Sequence, residues 1–136
     1  MYTNNVHQKR FQKTLAFLNQ NIEKGSHILD LGVQNPMSEL MKANGYKVEN
    51  THGEDLDEDQ TGLINSNAEV VTAFEILEHL LSPYHVLKSI RAKKLVVSVP
   101  LKIWFSGAYR SKTDMRDRHF HEFEDWQFNW LLEKTG

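Results

Sequence analysis

"HILDLGVQNP", His27 to Pro36, is the stretch on which the fold turns. Its first half is short, apolar and closed by an aspartate, so it reads as a buried strand. Its second half opens a helix: Asn35 is a natural cap, and Pro36 fits a first helical turn. Strand, glycine and helix N-terminus in that order make the opening of a nucleotide-cofactor loop. Such loops usually carry several glycines, because a Cβ would collide with a ligand close to the backbone. Here Gly32 stands alone, and Val33, Gln34, Asn35 and Pro36 fill the rest. Asn35 is expected to supply the left-handed conformation a glycine would give. Pro36 removes one N–H from the loop.

Upstream, Phe11, Leu15, Leu18 and Ile22 form one stripe of an amphipathic helix over Val6 to Lys24, and Gly25 stops it. Downstream, Met37, Leu40 and Met41 make the inner face of the next helix, which Asn44–Gly45 ends. "YKVENT" is a second strand, and His52 to Asn67 reads as loop. "EVVTAF" is a strand apolar on both sides, as in a parallel sheet. Ser82–Pro83 begins a helix with Val86, Leu87 and Ile90 inward, "KLVVSVP" is a fourth strand, and "EFEDWQFNWLLEKTG" is a helix with Phe128, Leu131 and Leu132 on one side. No internal repeat appears. The alternation predicts an α/β fold with a doubly wound, mostly parallel sheet. Ligands of such sheets bind beyond the carboxyl ends of the strands. The residues there are Asp30 to Asn35, His52 to Asp57, Glu75 to His79, and Pro100 onward.

At 136 residues, one domain over 1–136 is expected. The chain has no cysteine, which excludes disulfides and thiolate chemistry. No apolar run approaches a membrane span, and "MYTNNVHQKR" has no signal-peptide core, so a cytoplasmic location is the expectation. A net charge of −2 argues neither for nor against a nucleic-acid partner. The charge is unevenly placed. "EDLDED", Glu54 to Asp59, is nearly all acidic, whereas Lys102, Arg110, Lys112, Arg116 and Arg118 face only Asp114 and Asp117 in the segment after the fourth strand. That segment is either a solvated loop or a loop that meets an anionic substrate.

Four motifs in order resemble the class I S-adenosylmethionine-dependent methyltransferases: "HILDLG", "GEDLDED" before "AEVVTAFEILEHLLSP", "KLVVSVP", and "RHFHEFEDWQFNWLLEKTG". The resemblance covers residues 20–136. It implies a Rossmann-like methyltransferase fold, S-adenosylmethionine as cofactor, and a small-molecule acceptor, with a hydroxyl as one acceptor type. Asp30 is then placed for the methionine ammonium and Gly32 for close approach of the cofactor. Too few residues separate Gly45 from Glu69 for the family's second helix and third strand, so the sheet is expected to be compressed in the middle. Asp55, in a "GxDLD" register, or Glu54 would serve the nucleoside; His52 takes the place of the ribose acid in another register. Glu75 would also line the cofactor. The glycine-poor loop keeps open an alternative: a degenerate fold that binds or regulates without catalysis.

"FEILEHL" places Glu75, Glu78 and His79 on one side of a helical turn. Two carboxylates and an imidazole make half a divalent-metal site. The motif resembles those of ubiquinone-pathway O-methyltransferases and of small-RNA 2′-O-methyltransferases; the latter add a histidine in an "H-x-F-E" context, here "HEFE" at His121 to Glu124. The implied metal set is Glu75, Glu78 and His79 with His121 or His119, holding manganese or magnesium, and metal-assisted RNA 2′-O-methylation is a further alternative. Without metal, Glu78 caps or pairs and His79 packs. His119 and His121 are candidate catalytic bases for an acceptor hydroxyl. Trp104, Phe105 and Tyr109 are either an aromatic lid or core beneath a loop. The family continues past "LLEKTG" into a strand hairpin. The domain is therefore expected to be C-terminally incomplete, with the "KLVVSVP" edge covered by later residues or by another chain in a homo-oligomer.

Overall fold

The computed structural model describes residues 5–102 and 112–136. α1 runs Asn5–Asn21, β1 His27–Asp30, α2 Pro36–Ala43, β2 Lys47–Asn50, α3 Thr61–Ile64 and β3 Val70–Phe74. A 3₁₀ turn at Leu77–His79 leads to α4, Pro83–Lys88, and β4, Lys94–Ser98. A second 3₁₀ turn at Met115–Asp117 precedes α5, Asp125–Thr135. Among the described residues no helix is long and apolar enough to cross a membrane.

The four strands form one sheet in the order β2-β1-β3-β4, and every pairing is parallel. Parallel pairing needs crossovers, and the crossovers cover both faces. On one face Leu15, Leu18 and Ile22 meet Ile28, Met37, Met41 and Val70. On the other, Leu29 and Val71 meet Leu63, Val86, Leu87 and Phe123, with Phe128, Leu131 and Leu132 of α5 packed against them. Alternate strand residues thus serve opposite cores, which is why "EVVTAF" is apolar on both sides. Leu18, Ile28, Met41 and Val86 are fully enclosed, and each such side chain contributes about 1.5–3 kcal/mol through burial.

One strand stands between the first helix crossover and β3, in line with the expected compression. The stretch from His52 to Asn67 contains a single helical turn, α3, where a loop was expected. It is too short to display a helical period, yet Leu63 from it is 2% exposed and seals the core. The helix expected over Val6 to Lys24 ends by Asn21, although Ile22 N–H still donates to Leu18 O. β3 and β1 are the inner strands, and the chain reverses its winding between them. That reversal leaves a cleft at their carboxyl ends.

Candidate functional site at the carboxyl ends of β1 and β3

Gly32 follows β1 with φ +104, a region that favours glycine. Its N–H donates to Thr51 Oγ1 at 2.7 Å, and its carbonyl accepts from Asn50 Nδ2 at 3.1 Å. The glycine-poor loop is therefore braced by the end of β2. Asn35 is extended, at φ −151 and ψ 171, and not left-handed as its residue type suggested. Its side-chain oxygen accepts from Met37 N–H and Ser38 N–H, so capping the helix has decided its backbone.

Asp30 closes β1 with 2% exposure. Its Oδ1 accepts from Thr72 Oγ1 at 2.6 Å; its Oδ2 accepts from Ser38 Oγ and Asn50 Nδ2 at 3.2 Å each, and from Asn35 Nδ2 at 3.4 Å. Burial pushes its pKa up, and these hydrogen bonds pull it partly back. Asp30 therefore ties β1, β2, β3 and α2 together at the floor of the cleft.

Two cavities lie above these strand ends. The larger, about 600 Å³, is lined by Gly32, Thr51, Glu54, Asp55, Leu56 and Ile76 on one side, and by His79, Leu81, Met115 and Phe120 on the other. The smaller, about 340 Å³, is bounded by Arg10, Phe11 and Thr14 of α1 with Asp30, Gly32, Asn35 and Glu75. Both are in the size range of small-ligand sites. The structure thus gathers Asp30, Gly32, Asp55 and Glu75 at one cleft. His52 is exposed, and its N–H donates to Glu54 Oε2. Glu54 and Asp55 thus each spend one oxygen locally, since Asp55 Oδ1 accepts from Asp57 N–H.

Glu75 has φ +56, uncommon for a residue with a Cβ. Its N–H donates to Ser98 O, and its Oε1 accepts from Arg10 at 3.4 Å. Its Oε2 is buried without a hydrogen-bond partner. Burial raises its pKa, against the pull of Arg10, of His79 and of a hydrogen bond with the Ser98 side chain. Glu78 is 1% exposed, and its Oε2 also lacks a partner. Burial, reinforced by the charge of Glu75, pushes it up to about 7.

His79 donates from Nδ1 to Arg118 O, which leaves Nε2 facing Glu78 Oε1 at 3.6 Å. The Glu78 carbonyl accepts from Phe120 N–H and His121 N–H, and so holds the distant segment over the turn. That contact brings His119 edge-on to His79, with ring centroids 4.6 Å apart. Ligand atoms of Glu78, His79 and His119 lie within 4.8 Å of one another. Among the described residues Glu75 and His121 stand outside this group. Glu75 turns toward Arg10, while His121 reaches Leu81 O through Nε2 and stacks on Phe123. Burial lowers the pKa of His119, ahead of the charge of His79.

Trp104, Phe105, Tyr109 and Arg110 lie outside the described residues. Sequence reasoning missed α1 as a cavity wall, because the helix stripe accounted only for its core face. It also missed Asn50 and Thr51 as braces of the loop, since nothing local marks a long-range hydrogen bond.

No protein-family model and no curated protein matches this sequence. One solved structure that it resembles is the N-terminal domain of EvdMO1, crystallised in the presence of SAH and D-fucose. The two share 16% identity over 96% of this chain and 73% of the solved one, with a TM-score of 0.60. A likeness of that kind, with the parallel sheet and its cleft, establishes a Rossmann-like α/β fold.

Proposed function

We propose that this chain binds S-adenosylmethionine across the two cavities and transfers its methyl group to a small-molecule acceptor, with a hydroxyl as the acceptor group. The observation that carries the reading is the cleft at the β1–β3 reversal, where Gly32 allows close approach and carboxylates stand on both sides. The smaller cavity, with the Arg10 guanidinium and the carboxylates of Asp30 and Glu75, suits an amino-acid group. The larger suits a nucleoside: Asp55 and Glu54 for hydroxyls, Leu56 and Leu80 for the base. Because four side chains already hold Asp30, Glu75, which is less fully engaged and lines both cavities, is the better acceptor for the methionine ammonium.

Methyl transfer from a sulfonium is mainly alignment of nucleophile, methyl and sulfur. The acceptor oxygen attacks the methyl carbon, the carbon–sulfur bond breaks, and sulfur keeps the electron pair. The hydroxyl proton must go to a base. His119, held neutral more readily by burial, is assigned that role, and His121, engaged with Leu81 O, is the second candidate. The test is thermal unfolding and titration with S-adenosylhomocysteine. A ligand at about 100 times its Kd should add about 2.7 kcal/mol. No stabilisation at millimolar ligand overturns the reading; binding without turnover of any acceptor points to a binding module.

Beside the larger cavity, which His79 lines, the group of Glu78, His79 and His119 fits a divalent cation. Two buried, unpartnered carboxylate oxygens nearby favour this, and His79 Nδ1 donates to a carbonyl as metal-bound histidines do. A donor set of two imidazoles and one carboxylate suits manganese, iron or zinc better than magnesium. Bound there, the ion would lower the pKa of an acceptor hydroxyl. Manganese titration of the wild type and of His119→Ala tests it: binding lost in the variant supports the set, and equal binding or none overturns it.

A further inference from the structure

The two cavities share three lining residues, Gly32, Glu75 and Ile76. These residues are the neck between them. A Cβ built on Gly32 would lie 3.6 Å from Ile76 Cδ1, so the isoleucine methyl stands directly over the glycine. The backbone there is pinned on both sides. Glu75 N–H donates to Ser98 O at 2.9 Å, and Ile76 O accepts from His79 N–H at 3.0 Å. Leu77 next to it is 0% exposed. The φ of +56 at Glu75 fixes the turn that aims Ile76 at Gly32. With the backbone held, the neck widens by rotation of its side chains, and Ile76 is the one that stands over Gly32.

We propose that Ile76 is a gate between the two cavities and determines which adenosyl ligands bind. A ligand filling both must be thin at its middle, as a thioether or sulfonium chain between ribose and amino acid is. A group on the 5′ sulfur much larger than a methyl would strike the isoleucine. The carboxylates of Glu54, Asp55, Glu58 and Glu75 around the larger cavity add a charge barrier to 5′-phosphates. This inference rests on the cofactor reading above and deepens it.

The experiment is calorimetric titration of the whole chain with S-adenosylhomocysteine, adenosine and the S-adenosylmethionine analogue that carries a benzyl group in place of the methyl. Ile76→Phe should weaken S-adenosylhomocysteine at least about tenfold and leave adenosine, which needs one cavity, within about threefold. Ile76→Ala should raise the affinity of the benzyl analogue relative to S-adenosylhomocysteine at least about fivefold. Retained adenosine binding shows that Ile76→Phe is folded; should it unfold, the Ile76→Ala ratio decides alone. Equal losses of both ligands in Ile76→Phe, no loss of either, or an unchanged ratio in Ile76→Ala overturns the gate. Wild type that binds S-adenosylhomocysteine but not adenosine overturns the division into two compartments. Wild type that binds neither overturns the cofactor reading, and the gate with it.

Discussion

Asp30 accepts hydrogen bonds from four side chains drawn from β2, β3, α2 and the loop before it. Burial nonetheless raises its pKa above 3.8, so the folded state binds its proton more tightly than the unfolded state does. Its contribution to stability is complete below the unfolded value and is lost as pH rises through the folded one. Stability of the wild type should therefore fall, relative to Asp30→Asn, as pH rises from about 4 toward 7. Thermal unfolding of both proteins across that range checks it, and a difference that does not change with pH refutes it. Asp30→Ala should be destabilised by at least about 2 kcal/mol, because Thr72, Ser38 and Asn50 would lose a buried acceptor. It is thus not a silent probe of ligand binding. The place of Asp30 and Gly32 at a strand end was legible in "HILDLG". The partners were not: Thr72 lies 42 residues away and Asn50 lies 20, and the register that delivers them is a property of the whole sheet.

At the scale of elements, the acidic run is not a uniform solvated patch. Asp57 Oδ2 accepts from Leu81 N–H and Oδ1 from Ser82 N–H, both at 2.8 Å. One carboxylate therefore closes the backbone at the entrance to α4, whose own cap residue makes no side-chain bond. Asp57→Ala should cost about 1–2 kcal/mol, in the range of a lost helix cap, while exposed Glu58→Ala should stay within about 0.5 kcal/mol. Urea denaturation separates them, and equal effects would show that Asp57 does not act as the cap. The helices and strands themselves were readable from apolar spacing, because burial imposes that spacing directly. Two kinds of detail were not. α3 is shorter than one full period of the pattern that would reveal it, and Asn35 had two local choices of which capping won. In "FEILEHL" the residue types were legible as a group. Which histidine joins them was decided by the Glu78 carbonyl holding Phe120 and His121 in place, a backbone contact that side-chain spacing does not encode.

For the molecule as a whole, the sheet ends on β2 and β4. β2 alternates exposed and half-buried residues, as an edge strand should. β4 pairs with β3 alone among the described residues, while Leu101 beyond it bridges to Phe123. Its Leu95, Val96 and Val97 make an apolar strand with one row of backbone groups left open among the described residues. Open edges of that kind recruit further strands. The 136-residue chain should accordingly associate with increasing concentration. Light scattering coupled to gel filtration checks this, and a monomer at every concentration rules it out.

The insertion of β3 beside β1 also sets an order of events in folding. β1, α2 and β2 form one crossover unit, and Ser38, Asn35 and Asn50 reach Asp30 within it. Thr72 arrives only when β3 docks, closing a far longer loop. Docking strips water from an ionised carboxylate at the same moment as it supplies the hydroxyl. If that desolvation is met at the barrier, stopped-flow refolding should quicken as the solution is acidified, and Asp30→Asn should lose the acceleration. The residue that joins four elements in the native protein then also limits how fast the last strand can find its place.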